Sequence, residues 1–100
     1  MVREESVLQA LRAVNDPEVG VNIVDLGLVY TTEIEAERVR VVMTMTTPTC
    51  PMHSYLTEEV REAILVQCEE VENVAVQLTW DPPWSPAMIS EEGKRQLGWR

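Results

Sequence analysis

The chain has 100 residues, a length that holds one hydrophobic core and leaves no room for a second. Apolar residues make up 45% and charged residues 25%, the balance of a chain that folds rather than of a disordered one. Seventeen carboxylates against eight Lys and Arg give a net charge of −9 with no basic run, which argues against nucleic acid and anionic membrane as partners.

No apolar stretch approaches the ~20 residues that cross a bilayer. The N-terminus, Met1-Val2-Arg3-Glu4-Glu5, carries acids where a signal peptide needs a positive flank and an apolar run, so the cytoplasm is the expected address. Cys50 and Cys68 lie too far apart for a CxxC pair and are too few for a disulfide framework, so both are expected to be reduced thiols.

Val7, Leu8, Leu11 and Val14 recur at helical spacing and predict an amphipathic helix from about Glu4 to Val14, with acids at its start to suit the macrodipole. Asn15-Asp16-Pro17-Glu18 stops it, because proline disfavours helical backbone in the residue before it. A loop then runs through Gly20 to Gly27. Leu28 to Glu35 and Arg38 to Thr46 have the alternation and β-branched content of strands, joined by Ala36 and Glu37 in a hairpin-length connection. In the second strand Val39, Val41, Met43 and Met45 are expected to face the core, with Arg38, Arg40, Val42, Thr44 and Thr46 on the opposite face.

Pro51 suits a first helical position, and Met52, Leu56, Val60, Ala63, Ile64 and Gln67 then follow at threes and fours to give a central helix. Glu69, Glu70 and Glu72 crowd its end, where acids oppose the dipole. Val74, Val76, Leu78 and Trp80 alternate as a third strand, ended by the rigid run Asp81-Pro82-Pro83-Trp84-Ser85-Pro86. Ser90 is placed to cap a short helix that closes at Gly98. This order predicts an α+β fold of two layers, helices on one face of a small mixed sheet, in one domain over residues 1–100.

Chemistry concentrates at Thr44-Met45-Thr46-Thr47-Pro48-Thr49-Cys50-Pro51-Met52-His53, a strand-to-helix junction. A cysteine at or beside a helix N-cap meets unpaired N–H groups and the positive end of the dipole, which lower a thiol pKa. The surrounding threonine hydroxyls can donate to sulfur or to an anion. The plainer alternative is a buried structural cysteine, and Cys68 is best read in that way.

His53, three positions after Cys50, is on the same side of the first helical turn, so Cys50 and His53 are candidate metal ligands. An exposed helical histidine is the competing reading. Asp16, Glu18 and Asp25 are carboxylates able to serve as acid or base, and at the proline turn a capping Asp is expected anyway. Trp84, among prolines, is either a loop fastener or a partner-binding anchor. No triad and no phosphate-cradling glycine pattern appears, so the chain is not expected to be an enzyme; the alternatives are a pure protein–protein adaptor that recruits its partners through Trp84 and the tail, and a small thiol enzyme using Cys50 and His53.

Asp16-Pro17-Glu18, Asn22-Ile23-Val24-Asp25-Leu26-Gly27-Leu28-Val29-Tyr30, the threonine-rich approach to Cys50-Pro51, Trp80-Asp81-Pro82-Pro83-Trp84 and Ile89 to Gly98 together resemble the metal-sulfur cluster biosynthesis family. That family takes in SufT-like and PaaD-like proteins and the eukaryotic cytosolic iron-sulfur targeting subunit. The SufT-like version fits better, since PaaD-like proteins carry a further cysteine-rich region at their C-terminus.

The resemblance implies an accessory factor in iron-sulfur cluster assembly or delivery, with the iron-sulfur assembly domain fold. Cys50 matches the reactive cysteine, Asp16 and Glu18 the acidic turn, and Asn22, Asp25, Thr44 and Thr46 polar residues of one pocket, to which Thr49 is added from the threonine run. It further implies no stably bound cofactor but transient iron or an iron-sulfur cluster, with assembly proteins and client apo-proteins as partners. A chain this short buries only about 60–68% of its unfolded surface, so a homodimer is also expected.

Overall fold

The computed structural model describes residues 2–16, 19–45 and 53–98. Helix α1 (Glu4–Arg12) buries Val7, Ala10 and Leu11, while Leu8 is only half-buried at the rim of the apolar stripe. The helix ends two residues before the expected Val14. There the backbone is claimed by a different pairing: the N–H of Ile23 donates to Val14 O and that of Asp16 to Val21 O, around an isolated bridge between Asn15 and Asn22.

Strands β1 (Val29–Glu35) and β2 (Arg38–Met43) pair antiparallel through the two-residue connection, with Ala36 in the left-handed region at φ 54°. A register shift interrupts the pair between Val29 and Thr31. Helix α2 (His53–Gln67) crosses to β3 (Asn73–Leu78), which pairs parallel to β2 and completes a sheet of order β1-β2-β3. The expected α+β arrangement with a mixed sheet is therefore present.

Val39, Val41 and Met43 of β2 are buried together with Leu56, Val60 and Ile64 of α2 and the α1 stripe, each worth about 1.5–3 kcal/mol for removing its side chain from water. Gln67, expected on the buried stripe of α2, is exposed. The acids Glu69 and Glu70 lie past the end of the helix, in the turn that leads to β3. On the outer face Arg40 spans the sheet, 2.7 Å from Glu33 on β1 and donating to Gln77 on β3 at 3.1 Å.

Two expectations about strand ends are corrected. β2 stops at Met43 rather than Thr46, and Thr44, assigned to the solvent side, is fully buried like Met45. The N–H of Thr44 donates to Leu28 O, so the loop before β1 lies along this end of the strand. β3 stops at Leu78, since the N–H of Thr79 donates the last rung to Met43 O, and Trp80 beyond it is 42% exposed. The chain then runs through a 3-10 turn (Pro86–Met88) into α3 (Glu91–Gln96), capped by Ser90 as expected, with Gly98 at φ 79° just beyond.

Candidate functional site

Of the predicted pocket residues, Asp16, Asn22 and Asp25 lie on the loop between α1 and β1. Asp16 is buried, and its position is fixed three ways: its N–H donates to Val21 O, its carbonyl accepts from Gly20 at 2.8 Å, and its Oδ1 accepts from the N–H of Val19 at 3.2 Å. The carboxylate thus has the turn-capping role that the Asp-Pro sequence suggests. Glu18 lies outside the described residues.

Six residues on, Asn22 and Asp25 close a second turn. Asn22 Oδ1 accepts from the N–H of Asp25 at 2.9 Å, and Asn22 Nδ2 donates to Asp25 Oδ2 at 2.7 Å. The other carboxylate oxygen of Asp25 accepts from Ser90 Oγ at 2.8 Å, and its backbone carbonyl accepts from the N–H of Ser90 at 2.7 Å. Ser90 Oγ in turn accepts from the N–H of Gly93 at 3.0 Å. One hydroxyl therefore joins the Asp25 carboxylate to the first turn of α3. Both Asp25 oxygens are engaged inside the chain, which makes this residue a strut for the loop.

Two glycines let the C-terminal segment approach. A Cβ on Gly93 would sit 2.8 Å from Ile89 Cγ2 and 2.9 Å from Asp25 O. Gly27, at φ 80°, has the Met88 carbonyl where a side chain would begin. Trp84 Nε1 donates to Leu26 O at 2.7 Å, and Tyr30 Oη donates to Pro82 O at 2.6 Å. The loop-fastening reading of Trp84 is the one its geometry supports: the indole is half-buried against the core and its single donor is used within the chain. Residues 79–98 form a strap over the loop that carries Asn22 and Asp25.

The sequence reading missed Ser90 as a partner of Asp25 and Tyr30 as a strap contact. Ser90 was legible only as a helix cap; no local signal pairs it with a residue 65 positions earlier.

Thr44 sits where β2 leaves the sheet. Its Oγ1 is the one buried side-chain oxygen or nitrogen without a hydrogen-bond partner among the described residues. Thr46, Thr49 and Cys50 lie outside the described residues, and of His53 only its place at the start of α2 is described. Cys68, past the other end of α2, is buried, and burial pushes its thiol pKa up, as suits a structural cysteine. No group of three or more His, Cys, Asp and Glu able to hold a metal ion occurs among the described residues, and no helix among them is long and apolar enough to cross a membrane.

A three-stranded mixed sheet, a polar loop held under a C-terminal strap and helices packed on the sheet define a small α+β module. The chain belongs to the iron-sulfur cluster assembly protein family, whose model matches residues 4–78. It is 41% identical over 96 residues to an Fe-S protein maturation auxiliary factor of Porphyromonas gingivalis, covering 95% of this chain and 90% of that one. It is 38% identical over 96 residues to the Fe-S protein maturation auxiliary factor YitW of Bacillus subtilis, covering 95% and 93%. The fold is similar to the crystal structure of a domain of unknown function from Bacillus anthracis, with a TM-score of 0.90 at 39% identity over 97% of this chain and 92% of that one.

Proposed function

We propose that the chain is a non-catalytic accessory factor in the maturation of iron-sulfur proteins, acting in the cytoplasm with assembly proteins and client apo-proteins. Cys50, with Asp16 or Glu18, holds iron or the edge of a cluster in transit. What carries the reading is the family match, which spans Asp16, Glu18, Asn22, Asp25, Thr44 and Cys50 together, joined to relatives named as maturation factors over nearly their whole length.

The chemistry follows from opposing electrostatic pulls. A carboxylate brought beside Cys50 would raise its thiol pKa by repulsion, and a helix N-terminus would lower it. A bound cation satisfies both, since thiolate and carboxylate then share one positive charge. Thr46 and Thr49 lie close to Cys50 in the sequence, and the Thr44 hydroxyl, without a partner among the described residues, has a donor to spare for a sulfur or an anionic ligand. His53 is the candidate second protein ligand.

Transit rather than storage follows from the donor set. A resident cluster takes about four cysteine thiolates. The chain has two, and Cys68 stands past the far end of a fifteen-residue helix about 22 Å long.

Anaerobic incubation with iron and sulfide, followed by metal analysis and transfer to an apo-client, tests the reading. Wild type is expected to take up iron in a form that a chelator or client removes, and Cys50→Ala to take up little. Equal uptake by the two proteins, or full client maturation in cells that carry only Cys50→Ala, would overturn it.

A further inference from the structure

The two edges of the sheet are built differently. β1 carries Glu33 and Glu35 and is broken by the register shift at its start, the charges and irregularity with which edge strands avoid pairing with other chains. β3, Asn-Val-Ala-Val-Gln-Leu, has no charge, no proline and unbroken register along its pairing with β2.

Its pairing on one side fixes what it offers on the other. The N–H of Asn73 donates to Glu37 O and that of Thr79 to Met43 O, so the odd-numbered residues of β3 turn their N–H and C=O groups towards β2. Val74, Val76 and Leu78 then turn theirs outward, and none of these groups has a partner among the described residues. The side chains of the same three residues lie on the inner, apolar face. Val76 and Leu78 are only half-buried, and Trp80 extends the stripe at 42% exposure.

We propose that β3 is a homodimer seam: a second copy pairs antiparallel with it about a two-fold axis through Val76, which makes one six-stranded sheet. The register is self-complementary. Val76 faces Val76 of the other copy, Val74 faces Leu78, Ala75 faces Gln77 and Asn73 faces Thr79. Val74, Val76 and Leu78 all fall in hydrogen-bonded pairs, so each outward N–H and C=O finds a partner. The acids that flank the strand do not meet, because Glu72 falls opposite Trp80. For a chain of net charge −9, this uncharged edge is where a second copy approaches with least repulsion. The seam does not rest on the reading of Cys50 and stands or falls without it.

Sedimentation equilibrium of the full chain with a reductant present tests the seam. Wild type is expected to dimerise with rising concentration, and to do so more tightly as sodium chloride screens the net charge. Val76→Pro removes one outward N–H per copy and no bond to β2, as edge strands tolerate. It is expected to raise the dimer dissociation constant at least about tenfold. A wild type that stays monomeric, a dimer that salt weakens, or a folded Val76→Pro that dimerises as wild type does would overturn the proposal.

Should Val76→Pro fail to fold, register-specific crosslinking decides. Ala75 and Gln77 of the other copy form a non-hydrogen-bonded pair with Cα atoms about 4.5 Å apart, within disulfide reach. In a Cys50→Ser background, mixed Ala75→Cys and Gln77→Cys chains are expected to form the mixed disulfide in preference to either symmetric one. Absence of that preference would overturn the register.

Discussion

Ser90 Oγ lies 2.8 Å from Asp25 Oδ1, and through this hydroxyl the loop before β1 and the cap of α3 hold each other in place. The contact is charge-assisted on one side and a helix cap on the other, so each residue depends on the other for its role. Asp25→Ala is expected to cost about 2–3 kcal/mol, since it leaves Asn22 Nδ2 and Ser90 Oγ without their acceptor. Ser90→Ala should cost about 1–2 kcal/mol. Urea unfolding of both single variants and the double one should show coupling, with the double variant losing less than the sum; strict additivity would mean that the two residues act separately.

The glycines under the strap leave no space for a methyl group. Gly93→Ala drives a Cβ against the Asp25 carbonyl and Ile89, and Gly27→Ala adds an unfavourable positive φ to a clash with Met88. Each is expected to cost about 3 kcal/mol or to detach residues 79–98, seen as faster amide exchange in α3. Gly98→Ala, which has open space around it, should cost only its backbone strain of about 1–2 kcal/mol.

Trp84→Phe keeps the ring against the core and removes the donor to Leu26 O, so a loss near 1 kcal/mol is expected in thermal or denaturant unfolding. Were the indole an exposed anchor for a partner, the same change would leave stability untouched and weaken client capture instead.

Burial raises the pKa of Cys68, and the sign of the linkage follows. The unfolded thiol ionises first, so this contribution to stability is complete below the unfolded pKa and is lost as pH climbs through the folded one. Cys68→Ala should flatten the decline of stability in alkaline buffer. Near neutral pH, alkylation of the native Cys50→Ala chain should be close to zero until denaturant is added; rapid labelling would show that Cys68 is accessible.

Ala36 holds a left-handed conformation that costs an L-residue about 1–2 kcal/mol. Ala36→Gly relieves it, offset in part by the greater freedom of glycine in the unfolded chain. A net gain of about 0.5–1 kcal/mol is expected in the melting of the purified protein.

Local signals in the sequence were enough for the helices, the strands and their order. Apolar spacing of 3.6 and 2 residues marked Val7 and Leu11, Val39 and Val41, and Leu56 and Val60 as core. Ser90 marked where α3 begins, whereas Pro51, expected to open α2, lies outside the described residues, and the motifs taken together gave the family. Element ends were less legible, because backbone partners remote in sequence set them: Val14 leaves α1 to pair with Ile23, and Thr44 is buried where Leu28 meets it.

Only the tertiary structure decided what the polar residues of the loop do. The family resemblance implied Asn22 and Asp25 as polar pocket residues, and in the structure their oxygens and nitrogens meet each other and Ser90. Trp84 was undecided until its indole was found on Leu26 O. Periodicity reports which side of an element is apolar, and it carries no information about which distant donor will arrive at an acceptor. That is settled when the strap folds over the loop and each buried polar group takes the nearest partner the packing leaves it.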